Sequence, residues 1–215
     1  MPAVVKGRKI VTNLDRVFEP GAAAGLDPLS IFAAWFAAAR QNEGVNPDAA
    51  CLATVGAGGM PAARMVLVRE FGSAGFVFYT SIDSHKGAEL QQSPKAALCF
   101  YWKTLERQVR VQGSVASVTP AAADEYFARR DRDSQISAWA SSQSRPLSDP
   151  ASFERAVREI DARFDGREVP RPDHWSGYRV RPDAIEFWHG RASRRHDRML
   201  FTQAGGGWQP TRLYP

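Results

Sequence analysis

The chain has 215 residues, of which 44% are hydrophobic, and a formal net charge of +5 at pH 7. This length suits one domain with a sizeable core, and no apolar run reaches the roughly 18 to 20 residues of a membrane span. Cys51 and Cys99 both lie in apolar, strand-like runs, so neither a disulfide framework nor a metal site is expected. The first nine residues contain no apolar segment of signal-peptide length, and we expect a cytoplasmic protein.

The positive charge occurs in short groups of basic residues that alternate with apolar segments. Net charge alone is compatible with a nucleic-acid partner, which predicts retention on DNA with a steep salt dependence. The interrupted distribution is more typical of a pocket for a small phosphorylated ligand. We therefore expect a small-molecule substrate and neither a nucleic-acid nor a membrane partner.

The chain begins with a segment, residues 1–26, that lacks strong periodicity and ends in small residues, so we interpret it as a mobile arm. A helix is predicted from Asp27 and Pro28, because aspartate is a good N-cap and proline suits the first helical position. Leu29, Phe32, Phe36 and Ala39 fall on one face of that helix. Residues 27–215 are expected to form a single domain.

From residue 50 the apolar pattern changes to the period of two that is typical of strands. The predicted strands are separated by short turns, which favour antiparallel pairing. A short helix is predicted at 84–92. The predicted strands are 50–55, 63–70, 76–80, 95–102 and 108–118. Five strands at such short intervals indicate a closed or nearly closed barrel.

Helices return in the second half of the chain, where proline follows a capping residue at 119–120 and again at 149–150. They are predicted to run to about residues 129 and 164. Further strands are predicted at 178–180, 185–188, 199–202 and 208–213. The sequence therefore predicts a mainly β protein with helices: an antiparallel, Greek-key-like barrel with the helices packed outside it.

A basic segment near the C-terminus contains Arg194, His196 and Arg198. If it is extended, these three side chains point to the same side and repel each other unless an anion or a carboxylate joins them. Arg194 and His196 could instead flank a flat ring, through stacking and hydrogen bonding. The alternative interpretation is a solvated basic edge strand.

Other basic and hydroxyl groups also suit a phosphate ester. Arg64 offers bidentate contacts and Lys86 a point charge, and Tyr79 and Thr80 add hydroxyl donors. For any one of these residues the alternative is an ordinary surface charge. No Ser-His-Asp spacing, glycine-rich phosphate loop or HExxH motif is present.

Several short motifs occur in an order that resembles the pyridoxine/pyridoxamine 5'-phosphate oxidase family of flavoproteins. The motifs are RMVL at 64–67, FYT at 78–80, SHKG at 84–87, LERQV at 105–109, DSQISAW at 133–139, QS at 143–144, FW at 187–188 and RRHDR at 194–198. The resemblance extends from about residue 27 to the C-terminus. It implies an FMN-binding split barrel and a homodimer that holds FMN at the subunit interface.

The resemblance also implies roles for individual residues. The flavin-binding set would be Arg64, Met65, Val66, Leu67, Tyr79, Thr80, His85, Lys86, Gln108, Gln143, Ser144, Trp188 and Arg198. Tyr126, Arg130 and Ser134 would hold the substrate phosphate, and Arg69 would lie on the substrate side. Arg194 and His196 would flank the substrate's pyridine ring as the catalytic residues. The implied reaction is hydride transfer from the substrate C4' to flavin N5, followed by reoxidation with O2 and release of H2O2.

The chain departs from the family pattern mostly on the substrate side. Asp15 and Phe18 stand where the family's N-terminal arm usually carries an arginine and a tyrosine, and Asn46 replaces an aspartate. Arg69 replaces a lysine, and His85 replaces an arginine on the flavin side. The related phenazine-biosynthesis flavin oxidases, which act on reduced tricyclic precursors, are therefore the alternative. A barrel that binds flavin or haem without turnover is a third possibility, which Arg194 and His196 argue against.

Overall fold

The computed structural model describes residues 13–215, so the first twelve residues of the predicted arm lie outside the described residues. The chain divides into two compact units. We call residues 48–100 and 110–183 the barrel unit. The terminal unit comprises residues 101–109 and 184–215 together with the described residues up to Pro47. The sequence predicts a boundary at residue 27 between an arm and one domain. That boundary differs from the division into these two units, and it stays a prediction.

Most of a closed antiparallel β-barrel lies in the barrel unit. Its strands are β1 (Ala49–Val55), β2 (Pro61–Gly72), β3 (Gly75–Ser81), β4 (Lys95–Trp102), β5 (Arg107–Ser117) and β6 (Trp175–His189). The strand order is β3-β2-β1-β4-β5-β6, and a pairing of β3 with β6 closes the barrel. The predicted barrel is therefore confirmed.

Two glycines allow barrel strands to approach each other closely. A Cβ at Gly75, which has φ +118°, would lie 2.2 Å from the carbonyl oxygen of Val180 on β6. A Cβ at Gly113 would lie 1.8 Å from the carbonyl oxygen of Arg181. Any larger residue would force the backbones apart at these points.

Alternate strand positions fill the interior with large apolar side chains, including Phe76, Phe78, Phe100, Leu52 and Leu98.

Four helices belong to the barrel unit: α2 (His85–Gln92), α3 (Pro120–Ala128), α4 (Arg132–Ala140) and α5 (Pro150–Arg163). Each begins after a capping side chain that accepts a backbone hydrogen bond. The sequence predicted α2, α3 and α5 but missed α4. Only Gln135 and Ile136 of α4 are buried, so the helix has no apolar stripe, and the Asp131 cap was its one local signal.

The terminal unit contains a 3-10 helix (Asn13–Phe18), α1 (Pro28–Asn42), and the end of β6 paired with β7 (Asp197–Ala204), which pairs with β8 (Gly207–Arg212). Its core is aromatic: the Trp35 ring lies 5.2 Å from that of Phe187, edge to face, and Phe18 packs 6.0 Å from Trp35. Within the predicted arm, Val17 and Phe18 are thus buried. The mobility of the arm stays a prediction.

Two local predictions in the C-terminal part were wrong. The strands predicted at 178–180 and 185–188 are a single strand, β6, which continues through Pro182. The basic segment is not extended from residue 194 to 198, because a 3-10 turn spans Ala192–Arg194 and β7 begins only at Asp197. Ser193 and Arg194 have φ of 58° and 59°, so period-two spacing does not carry Arg194 to the same side as Arg198.

No helix in the described range 13–215 has the length and apolar character needed to cross a membrane.

Candidate functional site

A buried lysine forms the centre of the first polar group in the barrel unit. Ser84 caps α2 and so places Lys86 in the first helical turn. The Lys86 ammonium donates hydrogen bonds to Thr80 Oγ1 (3.1 Å), Ser84 Oγ (3.2 Å) and Gln143 Oε1 (3.2 Å). Burial, assisted by the charge of Arg64, lowers the pKa of Lys86. These three partners are neutral, so they leave the charge of the ammonium available to an anion.

The second polar group joins Arg64 on β2, Glu89 on α2 and Thr54 on β1. Arg64 Nη2 lies 2.8 Å from Glu89 Oε2, and Thr54 Oγ1 donates to the same carboxylate oxygen at 2.5 Å. Arg64 Nη1 also donates to Thr54 Oγ1. The hydrogen bond from Thr54, followed by the contacts with Arg64, lowers the pKa of Glu89. Glu89 was not predicted as a site residue, because its partners lie 25 and 35 residues away in the chain.

The remaining residues of the predicted flavin set occupy varied positions. Met65 on β2 is 62% exposed, and the neighbouring Val66 and Leu67 are half-buried. His85, the first residue of α2, is exposed, and Ser144 lies in the turn after α4 with φ +73°.

Three parallel aromatic rings form a stack in the barrel unit. Tyr79 and Tyr126 lie 3.9 Å apart at an interplanar angle of 3°, and Tyr79 lies 5.4 Å from Trp175 at 7°. The Tyr79 hydroxyl donates to Glu70 Oε1 at 2.8 Å. Burial and the Glu70 carboxylate raise the pKa of Tyr79, so its hydroxyl stays protonated. Tyr79, which the family resemblance assigned to the flavin, therefore also supports Tyr126, which it assigned to the substrate phosphate.

Arg130 lies between α3 and α4, and its guanidinium packs over the Trp175 ring at 4.8 Å and the Phe127 ring at 5.6 Å. Its Nη1 atom is buried, and within residues 13–215 it has no hydrogen-bond acceptor. Burial lowers the pKa of Arg130, as expected for a cation that lacks a buried counter-ion. A buried donor without an acceptor raises the free energy of the folded protein. An anion that accepts a hydrogen bond from Arg130 Nη1 would remove this cost.

One cavity brings the lysine group and the aromatic stack together. Its volume is about 310 Å³, and its lining includes Thr80, Gln143, Tyr79, Arg130 and Trp175. Gln143, which lines the cavity, accepts a hydrogen bond from Lys86, and Arg130 lines another part of the wall. The cavity therefore has one cationic group near each of these two parts. This arrangement suits a ligand, or a pair of ligands, with negative charge at two places.

The two other predicted substrate residues of the barrel unit already have partners. Ser134 lies in the first turn of α4, where its backbone N–H donates to Asp131 Oδ1 at 2.8 Å. Arg69 on β2 forms a salt bridge of 2.7 Å with Asp48 and is exposed.

In the terminal unit, His196 packs against the Trp188 ring with centroids 4.6 Å apart. The backbone N–H of Arg191 donates to His196 Nδ1 at 3.2 Å, so the neutral imidazole carries its proton on Nε2. Arg198 forms a 2.8 Å salt bridge with Glu186, and this hydrogen bond raises the pKa of Arg198. Arg194 is exposed on its turn, and Gln108 lies half-buried on β5.

Asp15 was treated as a departure on the substrate side, but it forms a buried ion pair in the terminal unit. Its carboxylate lies 2.8 Å from Arg107 Nη2 and 3.2 Å from His189 Nδ1, although the His189 ring is poorly aligned for a hydrogen bond. Arg107 in turn packs 4.5 Å over the Trp35 ring. Burial alone would raise the pKa of Asp15, but His189 and Arg107 outweigh it and lower that pKa.

A closed antiparallel barrel with a cationic, aromatic-lined cavity is the architecture of a split-barrel protein. The chain belongs to the pyridoxamine 5'-phosphate oxidase family: the family model "Pyridoxamine 5'-phosphate oxidase" matches residues 38–164. The model "Pyridoxine 5'-phosphate oxidase C-terminal dimerisation region" matches residues 175–215.

Curated proteins that bear the same family name match this chain over most of its length. A pyridoxine/pyridoxamine 5'-phosphate oxidase of Sphingopyxis alaskensis is 54% identical over 189 residues, which is 88% of this chain and 88% of that protein. One of Caulobacter vibrioides is 52% identical over 88% of this chain and 85% of its own length.

A solved structure of a related protein has a similar fold. PhzG from Burkholderia lata 383, in complex with tetrahydrophenazine-1-carboxylic acid, superposes with a TM-score of 0.83 at 28% identity. The match covers 88% of this chain and 93% of PhzG.

Proposed function

We propose that this protein is an FMN-dependent oxidase that converts pyridoxamine or pyridoxine 5'-phosphate to pyridoxal 5'-phosphate with O2 and releases H2O2. With the amine substrate, water hydrolyses the oxidised C4' imine and ammonia leaves. The observation that carries the proposal is a cavity lined by Arg130, whose buried Nη1 has no acceptor within residues 13–215, and by Thr80 and Gln143, which bind the Lys86 ammonium. Two phosphorylated molecules, a flavin nucleotide and a B6 phosphate, would account for both sites. The curated relatives with more than 50% identity support the same reaction.

The Lys86 and Arg64 groups fit the phosphate of FMN. Lys86 supplies a buried point charge, and Arg64 retains N–H donors beyond those that contact Glu89 and Thr54. Thr80 and Gln143 add polar groups at the same place. When bound, the flavin would accept a hydride from the substrate and pass electrons to O2.

Arg130 and Tyr126 would bind the substrate phosphate. The ring of Tyr126 is held against Tyr79, and the guanidinium of Arg130 is held over Trp175, so both side chains are ordered before substrate arrives. Ser134, in the first turn of α4, would add a donor for the same phosphate.

His196 and Arg194 would orient the substrate ring. Since His196 accepts at Nδ1 from Arg191, its Nε2–H would donate a hydrogen bond to the phenolic oxygen attached to the pyridine ring. Arg194 lies at a turn, where its exposed side chain would reach the ring as substrate binds. Trp188, Gln108 and Arg198, which the family resemblance assigns to the flavin, would bind it as well.

We further propose that the protein acts as a homodimer with FMN at the subunit interface. The match of residues 175–215 to a dimerisation region supports this state. On β1, β2 and the turn that joins them, Val55, Met60 and Met65 are 40%, 71% and 62% exposed. Large apolar side chains exposed together are typical of a surface that a second copy covers.

One observation favours the phenazine alternative. Asp15 and Phe18, which replace the usual arginine and tyrosine of the arm, are packed within the terminal unit. A reduced tricyclic precursor such as tetrahydrophenazine-1-carboxylic acid, however, would offer Arg130 a carboxylate and no phosphate. The phosphate requirement of the substrate therefore separates the two functions.

Steady-state turnover with pyridoxamine 5'-phosphate and with unphosphorylated pyridoxamine tests the proposal. We expect the wild type to prefer the phosphorylated substrate by at least about 100-fold in kcat/KM, since a buried charge pair is lost without the phosphate. Arg130→Met should remove most of that preference. Its neighbour Arg129, which is 67% exposed, provides the matched control Arg129→Met, and that variant should behave as the wild type. Equal turnover of both substrates by the wild type would contradict the proposal.

A further inference from the structure

The Arg64–Glu89–Thr54 group contains a carboxylate to which neither the sequence motifs nor the proposed reaction assigns a role. We propose that Glu89 is a positioning residue that fixes the Arg64 guanidinium for the phosphate of the flavin. The inference rests on the proposed binding of FMN. It concerns how this chain achieves that binding, and it does not assign Glu89 a contact with the ligand.

The geometry ties three elements together at one point. Glu89 Oε2 receives hydrogen bonds from Thr54 Oγ1 at 2.5 Å and from Arg64 Nη2 at 2.8 Å, while Arg64 Nη1 contacts Thr54 Oγ1. The three side chains thus form a closed ring of contacts. Thr54 is buried, and the side chains of Arg64 and Glu89 are only 22% and 17% exposed. A long arginine held at two nitrogens in this way has little rotamer freedom left.

The orientation leaves donors available. A guanidinium has five N–H donors, and the carboxylate and the hydroxyl account for two of them. Two further contacts of Arg64 Nη1, with the carbonyl oxygens of Leu52 and Ala62, are long at 3.5 Å. The remaining donors suit an oxyanion, which is the ligand that a fixed guanidinium binds best.

Glu89 has two opposite effects on anion binding. Its negative charge repels a phosphate and offsets one of the positive charges of Arg64 and Lys86. Its contact with Arg64 restricts the rotamers of the arginine, so the binding of a phosphate has less conformational entropy to remove. A charge at a partly exposed site changes an equilibrium by about two- to five-fold. The rotamer freedom of an arginine corresponds to roughly 30-fold, so the positioning effect should dominate.

If Glu89 positions Arg64, its replacement should weaken the binding of ligands that carry the flavin phosphate and of no others. A general role of Glu89 in folding would not show this dependence. Riboflavin has the same ring system as FMN and lacks the phosphate. A damaged fold would weaken both ligands, whereas a misplaced Arg64 would weaken only FMN.

The experiment is a fluorescence-quenching titration of the full-length protein with FMN and with riboflavin. Glu89→Gln keeps the size of the side chain and removes its charge. We expect it to raise the Kd for FMN about ten-fold and to leave the Kd for riboflavin within two-fold of the wild type. The matched control is Glu125→Gln, which changes an exposed carboxylate paired with Arg129 on α3 and should change neither value.

A second pair of variants removes the hydroxyl without a change of charge. Thr54→Val should weaken FMN by several-fold, and Thr54→Ser, which retains the hydroxyl, should restore wild-type affinity. This pair keeps the test valid if Glu89→Gln folds poorly.

Several results would overturn the inference. An unchanged or tighter FMN complex in Glu89→Gln would show that repulsion outweighs positioning. Equal losses for FMN and riboflavin would assign Glu89 to the fold alone. A wild type that binds FMN no better than riboflavin would contradict the phosphate site itself, and with it the proposed cofactor.

Discussion

Asp15→Asn tests the ion pair that anchors the 3-10 helix (Asn13–Phe18). The side chain of Arg107 is 5% exposed and that of Asp15 is 14% exposed, so the substitution leaves a buried guanidinium without its carboxylate. Removal of one partner of a buried pair costs about 3–5 kcal/mol. The contact of Arg107 with Trp35 and the retained amide oxygen reduce this value, and we expect a loss of about 2–4 kcal/mol.

For a chain of this size each kcal/mol corresponds to about 2–4 °C in Tm, so the Tm at pH 7 should fall by roughly 4–16 °C. The matched control is Asp161→Asn, because Asp161 is 58% exposed in its pair with Arg132 and should contribute less than about 1 kcal/mol. A Tm of Asp15→Asn within about 1 °C of the wild type, or equal to that of the control, would refute the reasoning.

The same pair predicts a pH dependence. The pKa of Asp15 is lower in the folded protein than its ordinary value of 3.8. A lowered carboxyl pKa stabilises the fold above the unfolded pKa, and this contribution is lost as the pH falls through the folded pKa. The difference in stability between wild type and Asp15→Asn should therefore shrink as the pH falls below about 4.

Three further predictions concern the barrel unit. Gly113→Ala should lower the free energy of unfolding in urea by at least about 2 kcal/mol, because its Cβ would meet the Arg181 carbonyl oxygen; a neutral effect would contradict the close strand contact. His85→Arg should tighten FMN several-fold in a fluorescence titration, since it adds a permanent charge beside Lys86; unchanged binding would place His85 outside the flavin site. Trp175→Leu should raise the KM for pyridoxamine 5'-phosphate by about ten-fold with little change in kcat, since it removes the ring that holds Arg130; a selective loss of kcat would contradict that role.

The architecture was predictable because it depends on local patterns. Alternating apolar residues and tight turns indicated the barrel strands, and proline after a capping residue located α1, α3 and α5. The same patterns gave a wrong prediction where the folded backbone departs from the conformation that the local sequence pattern indicates. The prediction for Arg194 assumed an extended segment, but a turn with positive φ at Ser193 and Arg194 interrupts it.

The partners of the site residues could not be predicted from spacing. Lys86 was predicted to bind phosphate, but its contact with Gln143 joins residues 57 positions apart. The Asp15–Arg107 pair joins residues 92 positions apart, and this long-range contact explains why Asp15 looked like an arm residue. Folding brings such groups together through strand order and register, and a one-dimensional pattern does not contain that information.

Oxygen consumption by the FMN-loaded protein with pyridoxamine 5'-phosphate tests the central claim most directly. We predict turnover at micromolar substrate, with one pyridoxal 5'-phosphate and one H2O2 formed for each O2 consumed. The same assay with a reduced phenazine precursor should give little oxidation above the uncatalysed rate. A flavin-loaded protein that oxidises the tricyclic precursor and leaves pyridoxamine 5'-phosphate unchanged would contradict the account.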